Sequence, residues 1–301
     1  MQVKNAIEDY IHHISVVDQK QMATIRSYQS DLKLYATFLN NREISDMEAI
    51  NFELIQDFIN LQNKKKKAAS MNRLIATLRS FHQYITFTYP KIVDPSIYLH
   101  NHKISRKLPN YFNKHDIQVL LDDFDDSDQD IYEHAILELL YSCGLRVSEC
   151  CSLKLSQIHL EQGYLKCIGK GDRERMIPIN QKAIELLNQY LNFVRINWEK
   201  KRSPFLFINH LNHPLTRQYI HHLIKTRIAK ENMNEHLSAH SFRHSFATHL
   251  LDGGADLKVV QELLGHQDIS TTQIYTHVQN KRLKDAYITF HPHANKEGNQ
   301  K

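Results

Sequence analysis

Toward its C-terminal end the chain carries His240-Ser-Phe-Arg243, then His266, then Tyr275. Those residue types suit phosphoryl transfer. A guanidinium clamps two phosphate oxygens at once, imidazoles move protons near neutral pH, and a phenol hydroxyl can attack phosphorus. Two basic residues upstream fit the same chemistry: Arg146 in Gly144-Leu-Arg-Val-Ser-Glu149, and Lys170 in Gly169-Lys-Gly-Asp172. Taken singly, each has an ordinary alternative. Arg146 alone reads as a surface charge, Lys170 as a solvated hairpin lysine, and Tyr275 as a core residue. Gly169-Lys170-Gly171 is not a P-loop, because the GxxxxGK[ST] spacing is absent. His240 and His244 stand four apart but without an HExxH pattern or a third ligand nearby, so no metal site is expected.

In order, Arg146, Lys170, His240, Arg243, His266 and Tyr275 resemble the tyrosine recombinase (phage integrase) family, and within it the Xer-type site-specific recombinases of bacteria. The strings Gly144-Leu-Arg-Val-Ser-Glu149, Leu263-Leu-Gly-His266 and Ser270-Thr-Thr-Gln-Ile-Tyr-Thr-His-Val278 carry the likeness, which covers essentially the whole chain. One departure is Phe242, where the family usually has Leu; it exchanges one apolar side chain for another.

The resemblance implies that Tyr275 forms a 3′-phosphotyrosyl bond with DNA and that Lys170 is the general acid for the leaving 5′-oxygen. It implies no ATP, no metal and no cofactor. The implied partners are a double-stranded DNA recombination site, a homo- or hetero-tetramer in the synapse, a second recombinase and a septal DNA translocase. The implied place is the bacterial cytoplasm, at the nucleoid and not at a membrane.

The residues themselves suggest a division of labour. Two arginines, Arg146 and Arg243, can share the non-bridging oxygens on which charge concentrates, worth on the order of 10²–10³ in rate per lost donor. A tyrosine hydroxyl titrates near ~10, so Tyr275 needs a base; His240 is the better candidate, with His266 assisting. Glu149 lies three residues after Arg146 and either orients that arginine or forms a salt bridge elsewhere.

These residues must be held by elements that the pattern also suggests. Ser238 can cap a helix ending at Asp252-Gly-Gly254, with Phe242, Phe246 and Leu250 facing the core and His240 and Arg243 sharing another face. Asp256 and Gly265 can bound a second helix, leaving His266 on the turn beyond it. Ser270 can cap a third, with Tyr275 one turn in. Tyr164–Ile168 and Arg175–Ile179 read as a hairpin with Lys170 at its tip. Helices are expected at about 183–197 and 216–230, and an apolar one through Ile131–Leu140.

Upstream, Ile25, Tyr28, Leu32, Tyr35 and Leu39 recur at helical spacing, as do Ile55, Phe58, Ile59 and Leu61, and then Leu74, Leu78, Phe81 and Ile85. The chain thus divides into an N-terminal helical domain (1–90), a linker (91–112) carrying Pro95 and Pro109, and a catalytic domain (113–301) whose last helix the resemblance marks as an exchange helix. The fold class is mainly α: an N-terminal helical SAM-like core-binding domain plus a C-terminal α-helical catalytic domain with a small antiparallel β-sheet.

Bulk properties agree. The 301 residues suffice for two cores, and the N-terminus shows no apolar signal region. The four cysteines follow no metal-site spacing and read as small buried hydrophobes. Residues 1–110 hold 15 Lys+Arg against 10 Asp+Glu, so the first domain is basic, as a nucleic-acid binder would be. Lys64, Lys65, Lys66 and Lys67, with Arg73 and Arg79, are the expected phosphate contacts. The favoured function is resolution of chromosome or plasmid dimers, partly because no extra N-terminal arm-binding domain is seen. The alternatives are a phage or mobile-element integrase, a type IB topoisomerase, and a non-catalytic DNA-binding accessory protein.

Overall fold

Four helices make the first unit: α1 (Val3–Val16), α2 (Met22–Asn40), α3 (Phe52–Asn63) and α4 (Ala68–Thr88). In a computed structural model, residues 1–103, 110–168, 174–265 and 277–294 are described, with the side chains of 168 and 277–282 left aside. The chain divides into two compact units, Met1–Lys107 and Leu108–Lys301.

The helical periodicity of the first unit is realised as burial. Ile25, Leu32, Tyr35 and Leu39 of α2 enter a core with Tyr10, Phe58, Leu74, Leu78 and Phe81. Asn51 starts α3 by accepting a hydrogen bond from the Leu54 amide at 2.9 Å. Leu61, expected inside, is exposed, while Gln62 is buried. The inward stripe of α3 is Ile55, Phe58, Ile59 and Gln62, an i, i+3, i+4, i+7 series, and Leu61 falls outside it.

Two buried polar contacts tie these helices together. Asp31 of α2 is fully buried and accepts both arms of the Arg73 fork, at 3.0 and 3.1 Å, from α4. The Tyr35 hydroxyl lies 3.2 Å from His82 Nε2; burial lowers the His82 pKa to about 4, so the ring is neutral at physiological pH.

The second unit is built around α6 (Asp128–Ser142), which is buried on nearly every side from Ile131 onward. Around it lie α5 (Lys114–Asp122), α7 (Val147–Ser152), α8 (Gln181–Gln189), α9 (Ile196–Trp198), α10 (Arg217–Lys230), α11 (Ala239–Asp252), α12 (Leu257–Leu264) and α13 (His277–Phe290). A three-stranded antiparallel sheet runs in the order β1 (Ile158–His159), β2 (Tyr164–Ile168), β3 (Glu174–Pro178). Glu138 of α6, with no exposed surface, is held by Asn180 at 3.1 Å and by His293 at 3.2 Å. Both contacts fall on Oε1, and Oε2 is buried without a hydrogen-bond partner among the described residues.

Three details differ from the pattern reading. β1 is an added strand, paired through Ile158 with Leu165. β3 spans Glu174–Pro178, one residue earlier than expected. The helix expected over 183–197 is interrupted by a π-type turn, Tyr190–Arg195. Arg195 is buried there and donates to the carbonyls of Leu206, Ser203 and Phe205, so it anchors the following loop. Cys143, Cys150 and Cys167 are buried and Cys151 is half-buried. Leu283 and Tyr287 of α13 pack with Phe246, Leu250 and Val259 of the same chain. Among the described residues, no helix is long and apolar enough to cross a membrane.

Gly144 joins α6 to α7 with φ +56°, and a Cβ there would sit 2.5 Å from Phe246 Cδ1. Both the left-handed backbone and the ring demand glycine. We therefore expect Gly144→Ala to cost about 2–4 kcal/mol from strain plus overpacking. Chemical denaturation would measure it, and a Phe246→Leu companion change should recover part of the loss.

Candidate active site

Arg146 occupies the N-cap position of α7, and Glu149 sits at the third helical position after it. The Glu149 carboxylate accepts from the Arg146 amide at 2.7 Å and from Arg146 Nη1 at 2.8 Å. A carboxylate at a helix N-terminus is favoured by the orphan amides and the dipole there. It therefore satisfies the helix and orients the arginine at once. Of the two roles open to Glu149 in the sequence, orienting Arg146 is realised.

A second arginine meets the same carboxylate from the sheet. Arg175 of β3 donates Nη1 to Glu149 Oε1 at 2.9 Å and Nη2 to Oε2 at 2.8 Å, a fork-to-fork pair. Its Nε donates to the Leu263 carbonyl at 3.1 Å. Arg243 of α11 completes the group: its Nη1 donates to the Gly144 carbonyl at 2.6 Å and lies 3.9 Å from Glu149 Oε2, while its Nη2 donates to the Leu264 carbonyl. Three guanidinium groups thus surround one carboxylate, and the local charge is positive.

Exposure separates their roles. The Arg146 side chain is 41% exposed, that of Arg243 12% and that of Arg175 5%. Arg146 and Arg243 form the accessible rim and floor, and Arg175 lies beneath. Burial and then the charge of Arg146 lower the Arg243 pKa to about 10, still fully protonated at neutral pH. Burial alone would raise the Glu149 pKa. The hydrogen bonds and charge of Arg175, followed by those of Arg146, overcome this and hold it at about 2.

The α11 platform forms as its sequence suggests. Phe242, Phe246 and Leu250 are buried, His240 is exposed one turn before Arg243, and the Ser241 hydroxyl accepts from the Ser238 amide at 3.1 Å. Buried Ser245 accepts from the Phe112 amide at 2.8 Å, fixing α11 to the segment that enters the unit. Asp256 caps α12 through the Lys258 amide at 2.7 Å, and Gly265 ends it with φ +66°. His249 is a core residue, its Nδ1 2.9 Å from the Tyr141 hydroxyl.

Lys170, His266 and Tyr275 lie outside the described residues. Their chain neighbours are placed: β2 and β3 flank residues 169–173, Gly265 precedes His266, and α13 begins at His277. Of the six expected catalytic residues, the structure brings Arg146 and Arg243 together and puts His240 on the helix of Arg243.

In the first unit, Lys64, Lys65 and Lys67 are exposed and Lys66 half-buried, in the turn between α3 and α4. Arg79 is half-buried on α4. Arg73, expected to meet phosphate, has its fork engaged by buried Asp31. The pair braces α2 against α4, while the Arg73 side chain stays 48% exposed.

Arg175 was missed by the motif reading, although a signal existed. Alternation along β3 puts Arg175 on the same face as Ile177, and a buried arginine requires a carboxylate or carbonyl partner.

Because the folded-state pKa of Glu149 is depressed, its contribution to stability is present above the ordinary carboxylate range. It is lost as pH falls toward about 2. Glu149→Gln would leave buried Arg175 without its counter-charge, so we expect a loss of about 3–5 kcal/mol at neutral pH. Urea unfolding from pH 7 down to about pH 2 should show a flatter acid dependence in the variant than in the wild type.

The phage integrase family matches residues 110–282, a span containing all six expected catalytic positions, and the phage integrase N-terminal SAM-like domain matches residues 7–87. Tyrosine recombinase XerD of Listeria innocua is 40% identical over 297 residues, covering 97% of this chain and 100% of that protein. Tyrosine recombinase XerD of Staphylococcus aureus is 39% identical over 295 residues, with the same coverage. Among solved structures, XerH site-specific recombinase in a post-cleavage complex with its palindromic difH substrate superposes with a TM-score of 0.68 at 25% identity, over 87% of this chain and 78% of that one. With a helical N-terminal domain, a catalytic unit of helices around a small antiparallel sheet and this degree of likeness, the chain belongs to the phage integrase family as a tyrosine recombinase of the Xer type.

Proposed function

We propose that the second unit cuts and rejoins DNA at one scissile phosphate held between Arg146 and Arg243. The observation that carries this reading is the arrangement of those two arginines about Glu149, with Arg146 half-exposed and three guanidinium groups to one carboxylate. Preorganised donors of this kind stabilise the charge that gathers on non-bridging oxygens during displacement.

In the proposed reaction Tyr275 Oη attacks phosphorus, and the bond from phosphorus to the 5′-oxygen breaks. His240, assisted by His266, takes the phenol proton, and Lys170 protonates the departing oxygen. One phosphodiester is exchanged for a 3′-phosphotyrosyl ester, so bond energy is kept and ATP is not needed. A 5′-hydroxyl from another strand reverses the step. The first unit supplies sequence-independent phosphate contacts through Lys64, Lys65, Lys66 and Lys67, with Arg73 and Arg79 adjacent.

The XerD names of the relatives and the DNA-bound XerH structure support site-specific recombination for this chain. A lambda integrase tetramer bound to a Holliday junction supplies the example for a tetrameric synapse. We extend the proposal to resolution of chromosome or plasmid dimers in the bacterial cytoplasm, with a second recombinase and a septal DNA translocase as partners. Within that tetramer, α13 is the segment that would exchange between subunits.

Covalent-adduct mapping tests the chemistry. Wild-type protein incubated with nicked genomic fragments and then denatured should retain DNA from one chromosomal locus, and Tyr275→Phe should retain none. Arg146→Ala and Arg243→Ala should each slow adduct formation about 10²–10³-fold. Adducts at the ends of a mobile element would assign an integrase, scattered adducts a topoisomerase, and none in the wild type would overturn the reading. Replacing Lys64–Lys67 by alanine should reduce the slope of log affinity against log salt by about 0.9 for each lysine that meets a phosphate. Binding titrations over a salt series would measure that slope.

A further inference from the structure

Arg175 is the arginine of the group with the least exposure and the most ties. It reaches both oxygens of Glu149 at 2.8 and 2.9 Å and the Leu263 carbonyl at 3.1 Å, from a strand that emerges from residues 169–173. Leu263 lies in the last turn of α12, and Gly265 brings that end against Arg175. A Cβ on Gly265 would be 3.1 Å from Arg175 Cδ. A single buried side chain therefore links β3, α7 with Arg146, and the end of α12.

Resting on the proposed role of Arg146 and Arg243, we infer that Arg175 is a positioning residue for the phosphate clamp. It fixes the Glu149 carboxylate against Arg146 and leaves Arg243 directed at the carbonyls of Gly144 and Leu264. The arginines compete for one carboxylate. Without Arg175, a buried carboxylate keeps only half-exposed Arg146 and has Arg243 3.9 Å away. Either Arg243 moves onto Glu149 and leaves the phosphate position, or Glu149 takes a proton and releases Arg146. Both outcomes weaken the clamp without touching the lysines of the first unit.

The ionisable groups facing Glu149 are Arg146 and Cys150 on α7, Cys167 on β2, Arg175 on β3 and Arg243 on α11. Burial raises the thiol pKa values of both cysteines, so they stay neutral and only the arginines oppose the effect of burial on Glu149. Losing the largest of these partners lets burial raise the carboxyl pKa. Cleavage then acquires an acid limb beyond the one that His240, as base, gives the wild type.

The test uses full-length protein and a nicked duplex carrying the locus at which wild type forms its adduct. Arg175→Met should bind that duplex as wild type does, melt cooperatively, and form adduct about 10²-fold more slowly near pH 7. Where Glu149 has taken a proton, the rate climbs back as pH rises and the carboxyl ionises; where Arg243 has moved onto the carboxylate, the loss persists at every pH. Arg175→Lys restores the charge but not the fork, so it should be about tenfold slow at every pH without the limb. Wild-type rates in Arg175→Met at all pH values would overturn the inference. So would a pH-independent loss that tracks loss of folded protein and is not relieved by Lys. If Arg175→Met does not fold, folded Arg175→Lys with intact binding and slowed cleavage supports the inference, and a wild-type rate overturns it. Absence of any adduct in wild type would instead count against the reading of the site itself, so the two failures are distinguishable.

Discussion

A single buried carboxylate organises the positive charge of the second unit. Glu149 caps α7, receives Arg146 and Arg175 through charge-assisted hydrogen bonds, and has Arg243 within 4 Å. Three guanidinium groups left to themselves would repel one another in a poorly solvated space. The shared anion makes their proximity stable while leaving a positive excess for a phosphate. Removing one member of such a set leaves uncompensated charge behind, which is why it behaves as a unit.

The backbone around this group is constrained to match. Gly144 turns the chain from α6 into α7 against the Phe246 ring, and its carbonyl receives Arg243. Gly265 ends α12 beside Arg175, and the carbonyls of Leu263 and Leu264 receive Arg175 and Arg243. The last carbonyls of a helix lack intrahelical donors and attract cations. Arginine therefore satisfies two needs here, closing a helix end and setting its own direction. The hydrophobic faces of α6 and α11 beneath provide the rigid support that such directional contacts need.

The first unit shows the same principle in another form. Arg73 looked like a phosphate contact because it follows a lysine run in a basic domain. Fully buried Asp31 also engages its fork, although the Arg73 side chain itself stays 48% exposed. The lysines between α3 and α4 form no ion pair among the described residues and are mostly exposed. Basic residues in one short stretch thus divide between structural pairing and surface charge according to what packs beside them.

Much was legible in the chain because it depends on local order. Helical spacing placed Leu32, Tyr35 and Leu39 or Phe242, Phe246 and Leu250 in cores. Caps at Ser238 and Asp256 and the stop at Gly265 are decided by a few adjacent residues, and so is the hairpin of β2 and β3. The ordered set Arg146, Lys170, His240, Arg243, His266 and Tyr275 named the chemistry, since residue type and order are properties of sequence. What only the tertiary structure decided is which charges meet. Arg175 is 26 residues from Glu149 and Arg243 is 99 from Gly144, and no local rule pairs groups so distant. Nor does local sequence say how deeply each arginine is buried. Depth and partner together set the strength of an ion pair, through the desolvation of each charge and the short reach of its hydrogen bonds.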